Sequence, residues 1–240
     1  PLYLAALSAI LGGRGNCASG ACSVVVGGNF NTGSGALGFI GGGLSNRICG
    51  VGNMNNATIV GGQLQLVTCA GGFIGGGSGN TSSNYDATIA GGFNNTASGQ
   101  RTFIGGGNCN NVCNATSGCL AYGAVVAGGV GNNTTGGTWT LASCAFTVAP
   151  TICNAGQYSF VGGGFQNRAT GVISVVSGGC NNTASGVYAT ISGGRNQSAI
   201  AHGAIGGGAN NTVSAGYGGI AGGDTNTASG TNSFVGSGLS

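Results

Sequence analysis

The chain has 240 residues, of which 57 are glycine and only 3% are charged, with a formal net charge of +3. Two prolines and the lack of a Gly-X-Y period exclude collagen, and 41% hydrophobic residues argue against a disordered tract. The basic residues are single arginines (Arg14, Arg47, Arg101, Arg168, Arg195), too dispersed for a nucleic-acid footprint, and no apolar run nears the roughly 20 residues of a membrane helix.

A short period organises the chain from its beginning. Aligned on the last glycine of each Gly-rich run, the anchors are Gly13, Gly28, Gly43, Gly62, Gly77, Gly92, Gly107, Gly129, Gly164, Gly179, Gly194, Gly208, Gly223 and Gly238. Nine of the thirteen intervals are 15 residues and the others are 14, 19, 22 and 35, so insertions interrupt the period without destroying it. Three residues before each anchor stands Ile or Val, from Ile10 and Val25 to Ile220 and Val235. Five before it the side chain is small, as at Ser23, Ala57, Ala87, Ser159 and Ala189, so the two places share one face of a short strand. Three after the anchor comes Asn, replaced only by Gln65 and Gln197, and two further on a small or apolar residue such as Ala97 or Ala184.

Each coil therefore reads strand, Gly turn, strand, Gly turn. The pattern predicts an all-β fold, a parallel β-solenoid or β-roll with 15-residue coils, spanning 1–240 as a single repeat domain. One coil alone cannot bury its Ile, so coils must stack about 4.8 Å apart, with Asn amides donating and accepting along the stack. Glycine is expected where the chain turns through positive φ or where layers approach closely. Insertions near 50–56, 114–122 and 137–156 all fall after the second strand and emerge on one edge. The longest carries the only tryptophan, Trp139, which makes it the candidate ligand-contacting loop.

Two outward columns are candidate surfaces. Four residues before the anchor, Phe39, Phe73, Phe103, Phe160 and Phe234 recur, with Val24, Thr58, Thr88, Val125 and Val175 in neighbouring coils. Large rings outside the single-chain core predict an oligomer interface, giving a parallel trimer or a laterally packed filament. On the second strand Thr and Ser recur four and six residues after the anchor, including Thr96, Ser98, Thr183, Ser185, Thr227 and Ser229. That ladder is a candidate ligand surface, and a regular hydroxyl lattice suits ice, so ice binding is the alternative expectation.

Ten cysteines without a Cys-x-x-Cys pair favour an oxidising compartment over a metal site. The expected disulfides are Cys17–Cys22 across one Gly turn, Cys49–Cys69 between adjacent coils, and Cys144–Cys153 closing the long insertion. Cys109, Cys113, Cys119 and Cys180 are left unassigned. Asn-x-Ser/Thr occurs at Asn56, Asn80, Asn94, Asn114, Asn132, Asn133, Asn181, Asn196 and Asn210, mostly as a by-product of the Asn-Asn-Thr unit.

Ser159-Phe160-Val161-Gly162, Ala87-Thr88-Ile89-Ala90-Gly91-Gly92 and Asn95-Thr96-Ala97-Ser98-Gly99 resemble the head repeats of trimeric autotransporter adhesins (YadA-like heads) and related repeats of phage and viral tail fibres. The resemblance covers most of the chain from about residue 8. It implies trimers of parallel β-rolls that project from a surface and bind host or matrix glycans or proteins.

Asp86 and Asp224 occupy different phases and His202 has no acidic partner in sequence, so catalysis, metal and cofactors are not expected. Pro1 falls three places after a virtual anchor and Ser240 two places after Gly238, a phase match that suits head-to-tail stacking. The sequence thus points to a structural or adhesive fibre that is extracellular, on a cell surface or on a virion, with itself as first partner. Nucleic acid and membrane insertion are not expected.

Overall fold

A computed structural model describes residues 7–49, 56–113, 121–153 and 155–239. Cys119, Asn114 and most of the insertions expected at 50–56 and 114–122 lie outside the described residues. The chain divides into two compact units, Pro1–Gly107 and Asn108–Ser240. Both are parallel β-solenoids, and among the described residues no helix forms.

In the first unit, one sheet stacks the first strands of successive coils, Ala9–Ile10, Val24–Val25, Phe39–Ile40, Thr58–Ile59, Phe73–Ile74, Thr88–Ile89 and Phe103–Ile104. Every pairing is parallel and matches equal phases, Ile40 with Ile59 and Ile74 with Ile89. A second sheet stacks Cys17–Ala18, Thr32–Gly33, Arg47–Ile48, Leu66–Val67, Thr81–Ser82 and Thr96–Ala97 in the same manner. Single-residue bridges just after the anchors, such as Gln63 with Ser78, form a third ladder.

The second unit repeats this plan. Its first strands run from Val125–Val126 and Phe160–Val161 to Gly219–Ile220 and Phe234–Val235, and its second strands from Arg168–Ala169 to Thr227–Ala228. The 14-residue coil costs no register, because Ile191 still pairs with Ile205. The long insertion forms an antiparallel hairpin, Thr138–Thr140 with Ala145–Val148, above a shorter pair, Thr134–Thr135 with Thr151–Ile152.

Strands of two residues hold because both periodic signals converge on one interior. Of the anchor-aligned Ile and Val residues, all from Val25 to Ile220 are buried. Ile10 is 47% exposed and Val235 half-buried, each in a strand paired on one side only among the described residues. Asn three places after the anchor enters the same interior. Asn182 is fully buried, its Nδ2 donates to Gly178 O and Gly194 O at 2.9 Å each, and its Oδ1 accepts from Gln197 N at 2.9 Å. Its own N–H donates to Asn167 Oδ1 at 3.0 Å, so the amides form a continuous ladder. This satisfies turn carbonyls that burial would otherwise leave unpaired.

The anchor glycine makes room for that amide. Gly179 has φ +90°, and a Cβ there would collide with Gly194 O and stand 2.7 Å from Asn182 Nδ2. Left-handed geometry also recurs at two phases that residue type does not announce, two residues after the anchors from Gly13 to Gly223 and six residues before those from Gly28 to Gly238. Ordinary side chains fill most of these corners, among them Leu64 (φ 55°), Asn94 (φ 52°), Tyr158 (φ 54°) and Ile173 (φ 54°). Each such corner costs roughly 1–2 kcal/mol for a non-glycine residue, which stacking must offset.

Candidate interaction surfaces

The first-strand face of the first unit carries Val24, Phe39, Thr58, Phe73, Thr88 and Phe103 in one column and Val26, Gly41, Val60, Gly75, Ala90 and Gly105 in the next. No charged side chain stands among them. The Phe rings lie back along their own strands: a Cβ on Gly41 or Gly75 would meet the Phe39 or Phe73 ring at 3.5 Å. Phe-x-Gly coils therefore alternate with coils of the Thr-x-Val kind, and each ring fills the space its glycine leaves. Phe39 and Phe103 remain 38% and 40% exposed, so the face is apolar and incompletely covered. In the second unit Phe160 packs over Gly162 in the same way, whereas Phe234 leans toward Gly219 and is 73% exposed.

The second-strand face brings the expected hydroxyls into register over short runs. Thr81 pairs with Thr96 in the first unit. In the second, Thr183, Ser198, Thr212 and Thr227 stand on consecutive strands, with Ser185, Ser214 and Ser229 exposed beside them. Thr227 is exposed and Thr96, Ser98 and Thr183 are half-buried. Arg47 and Leu66 break the run in the first unit. Arg168 bounds the one in the second, its Nε and Nη2 donating to Thr183 Oγ1 at 3.0 and 2.6 Å.

Trp139 is half-buried, and its environment is the chain itself. It packs edge-on against Phe146 across the hairpin at 5.1 Å and against Phe165 of the next coil at 6.3 Å. Asn108 Nδ2 donates to Cys144 O at 3.1 Å, pinning the hairpin tip. Leu141, 84% exposed, is the large apolar side chain that the tip presents to solvent, with Ala142, Ser143 and Cys144 exposed beside it.

The expected disulfides are not formed: Cys17, Cys22, Cys49, Cys69, Cys144 and Cys153 are free thiols, as are Cys109 and Cys180. Register explains one of the three pairs and the hairpin a second. Arg47 and Ile48 align with Leu66 and Val67, which places Thr68, not Cys69, opposite Cys49. Cys144 sits at the hairpin tip and Cys153 beyond its base, separated by the strand Ala145–Val148. For Cys17 and Cys22, the first projects from a strand and the second occupies a left-handed corner (φ 56°). Burial raises the Cys109 thiol above its usual range.

A surface column that the alignment did not single out lies six residues before the anchors. In the second unit it carries Tyr158, Ile173, Tyr188, His202 and Tyr217, all exposed and all left-handed. His202 lies 5.2 Å from Tyr188 and stacks on Tyr217 at 4.4 Å with an interplanar angle of 21°. The signal was available as a phase enriched in aromatics. In the first unit the same phase holds Asp86 and Arg101, 3.7 Å apart and exposed. Asp224 accepts from Asn210 Nδ2 at 3.0 Å and Thr225 Oγ1 at 2.8 Å, which hold its carboxyl below the usual range, with Arg195 adding to the effect.

Among the described residues no three His, Cys, Asp or Glu side chains gather as a metal site. The geometry offers faces and ladders for contact. No protein-family model matches the chain, and comparison with curated proteins finds no significant relative.

Proposed function

We propose that the chain is a structural and adhesive segment of an extracellular, cell-surface or virion-surface fibre, which associates with copies of itself and presents its insertions and hydroxyl columns for attachment to host or matrix glycans or proteins. The observation that carries this reading is the uncharged face built on Phe39, Phe73 and Phe103. At about 25 cal/mol per Å² of apolar surface, covering what remains exposed on each ring is worth roughly 1–2 kcal/mol, repeated at alternate coils. A solenoid gives that gain cheaply, because stacked coils hold the rings rigidly before any partner arrives. Electron microscopy of native material tests the reading: elongated fibres support it, and isolated short particles contradict it.

Ice binding is the second reading, favoured by the in-register run Thr183, Ser198, Thr212 and Thr227. Ile200, exposed within the neighbouring serine column, and Arg168 interrupt the lattice. Thermal hysteresis in a solution of the purified chain favours ice binding, and its absence favours the fibre.

A further inference from the structure

We infer that the left-handed corners two residues after the anchors carry N-linked glycans, at Asn94 and Asn181 first of all. The inference rests on the extracellular placement proposed above. Apart from Asn56, which is exposed at a left-handed corner six residues before Gly62, the described acceptor tripeptides fall into two structural classes that the sequence alone does not separate. Asn80 and Asn132, three residues after their anchors, are fully buried members of the amide ladder. Asn80 Nδ2 donates to Gly76 O at 3.0 Å and Gly92 O at 2.9 Å, and Asn132 Nδ2 donates to Gly128 O at 2.7 Å. Asn133 is 1% exposed and its Oδ1 accepts from Ala169 N at 3.1 Å. A glycan on any of these nitrogens would have to enter the core, so chains carrying one could not complete the stack.

Asn94, Asn181, Asn196 and Asn210 sit one residue earlier, at corners with φ between 52° and 56°. There Asn94, Asn181 and Asn196 are exposed, and the hydroxyl residue two places on, Thr96, Thr183 or Ser198, stands on the outward side of the second strand. Both parts of the acceptor thus face away from the core, and asparagine tolerates the left-handed corner better than most residues. Within the consecutive run, Asn196 Nδ2 donates to Asn210 Oδ1 and Asn210 Nδ2 to Asp224 Oδ1, each at 3.0 Å. Asn181 heads the run with its amide outside that chain. Corners on successive coils stand only about 4.8 Å apart, too close for branched sugars side by side, so one glycan on the run is expected at Asn181.

The transfer joins the Asn amide nitrogen to the anomeric carbon of an oligosaccharide carried on a polyprenyl pyrophosphate. The C–N bond forms, the anomeric C–O bond breaks, the pyrophosphate departs with the electron pair, and the amide loses one proton. Because the corners face solvent, the folded coil accommodates the added sugar without moving the ladder.

The test is the full chain secreted by a eukaryotic host and released from its glycans by peptide-N-glycosidase in ¹⁸O water, which marks each formerly occupied Asn as heavy Asp. Marking at Asn94 and Asn181, with Asn80, Asn132 and Asn133 unmarked, is the expected result. Secreted protein unmarked at Asn94 and Asn181, or folded protein marked at Asn80 or Asn132, overturns the inference. Failure of the fibre reading would show separately as a monomer in sedimentation, whatever the glycan pattern.

Discussion

Replacing Asn182 by Ala isolates the energetic role of the amide ladder. The substitution removes the donor to Gly178 O and Gly194 O and the acceptor for Gln197 N, all at 2.9 Å in a fully buried position. Gly194 O keeps a second donor, Cys180 N at 2.9 Å, so the main losses are an orphaned Gln197 N–H and a Gly178 carbonyl without its amide partner. At about 1–3 kcal/mol for each buried group left unsatisfied, the expected destabilisation is roughly 2–4 kcal/mol. The control is Asn181→Gly at the neighbouring exposed corner (φ 56°), where loss of the side chain is expected to change stability by well under about 1 kcal/mol. Asn182→Asp adds a sharper arm. It keeps the acceptor but sets a carboxylate against two carbonyl oxygens, so its folded-state pKa rises above the unfolded value. Its deficit is then least below the ordinary carboxylate pKa and grows as pH rises through the raised one. Denaturant titration followed by circular dichroism measures all three. Equal stability for Asn182→Ala and Asn181→Gly would refute the assignment of stabilising energy to the ladder.

Gln197 Nε2 is buried without a partner, so Gln197→Asn, which restores the shorter amide of the other coils, is expected to raise stability by about 1 kcal/mol in the same titration. Ile173 is β-branched at φ 54° and 40% exposed, and Ile173→Asn is expected to gain roughly 1 kcal/mol from relieved corner strain, read as a higher midpoint. Trp139→Ala removes the ring that packs on Phe146 and Phe165, so limited proteolysis should cut within 137–150 faster while the coils stay intact. Asp224 has a lowered folded-state pKa, so its contribution is present above the ordinary value of 3.8 and is lost as pH falls through the lowered one. A carboxyl titration by NMR should place Asp224 below that ordinary value.

What the sequence made legible is what the 15-residue phase controls directly. Ile40, Ile59, Ile74 and Ile89 are buried and aligned because a side chain that faces inward in one coil faces inward in all. The ladder was legible for the same reason, since Asn31, Asn46 and Asn80 each bond across one layer. Backbone φ at the corners was not legible. Tyr158 and Leu64 adopt values that a residue type alone would disfavour, and the energy that holds them comes from neighbouring coils. The Phe column was found, but its rings fold over Gly41 and Gly75 of their own strands, a contact set by side-chain rotamer rather than by spacing. For Cys49 and Cys69 a near match of phase was not enough, since the register sets Thr68, not Cys69, opposite Cys49. Trp139 was noticed for its rarity, yet its partner Phe165 lies one coil on, and only the folded hairpin brings them together.

Self-association through the Phe39, Phe73 and Phe103 face is decided by sedimentation equilibrium of the full chain beside the triple variant Phe39→Ser, Phe73→Ser, Phe103→Ser. The natural chain is expected to run as a multiple of the single-chain mass, a trimer or larger, and the variant to shift toward the single-chain mass with its β-sheet spectrum retained. A natural chain that stays monomeric at high concentration, with that spectrum intact and its rings in water, would contradict it.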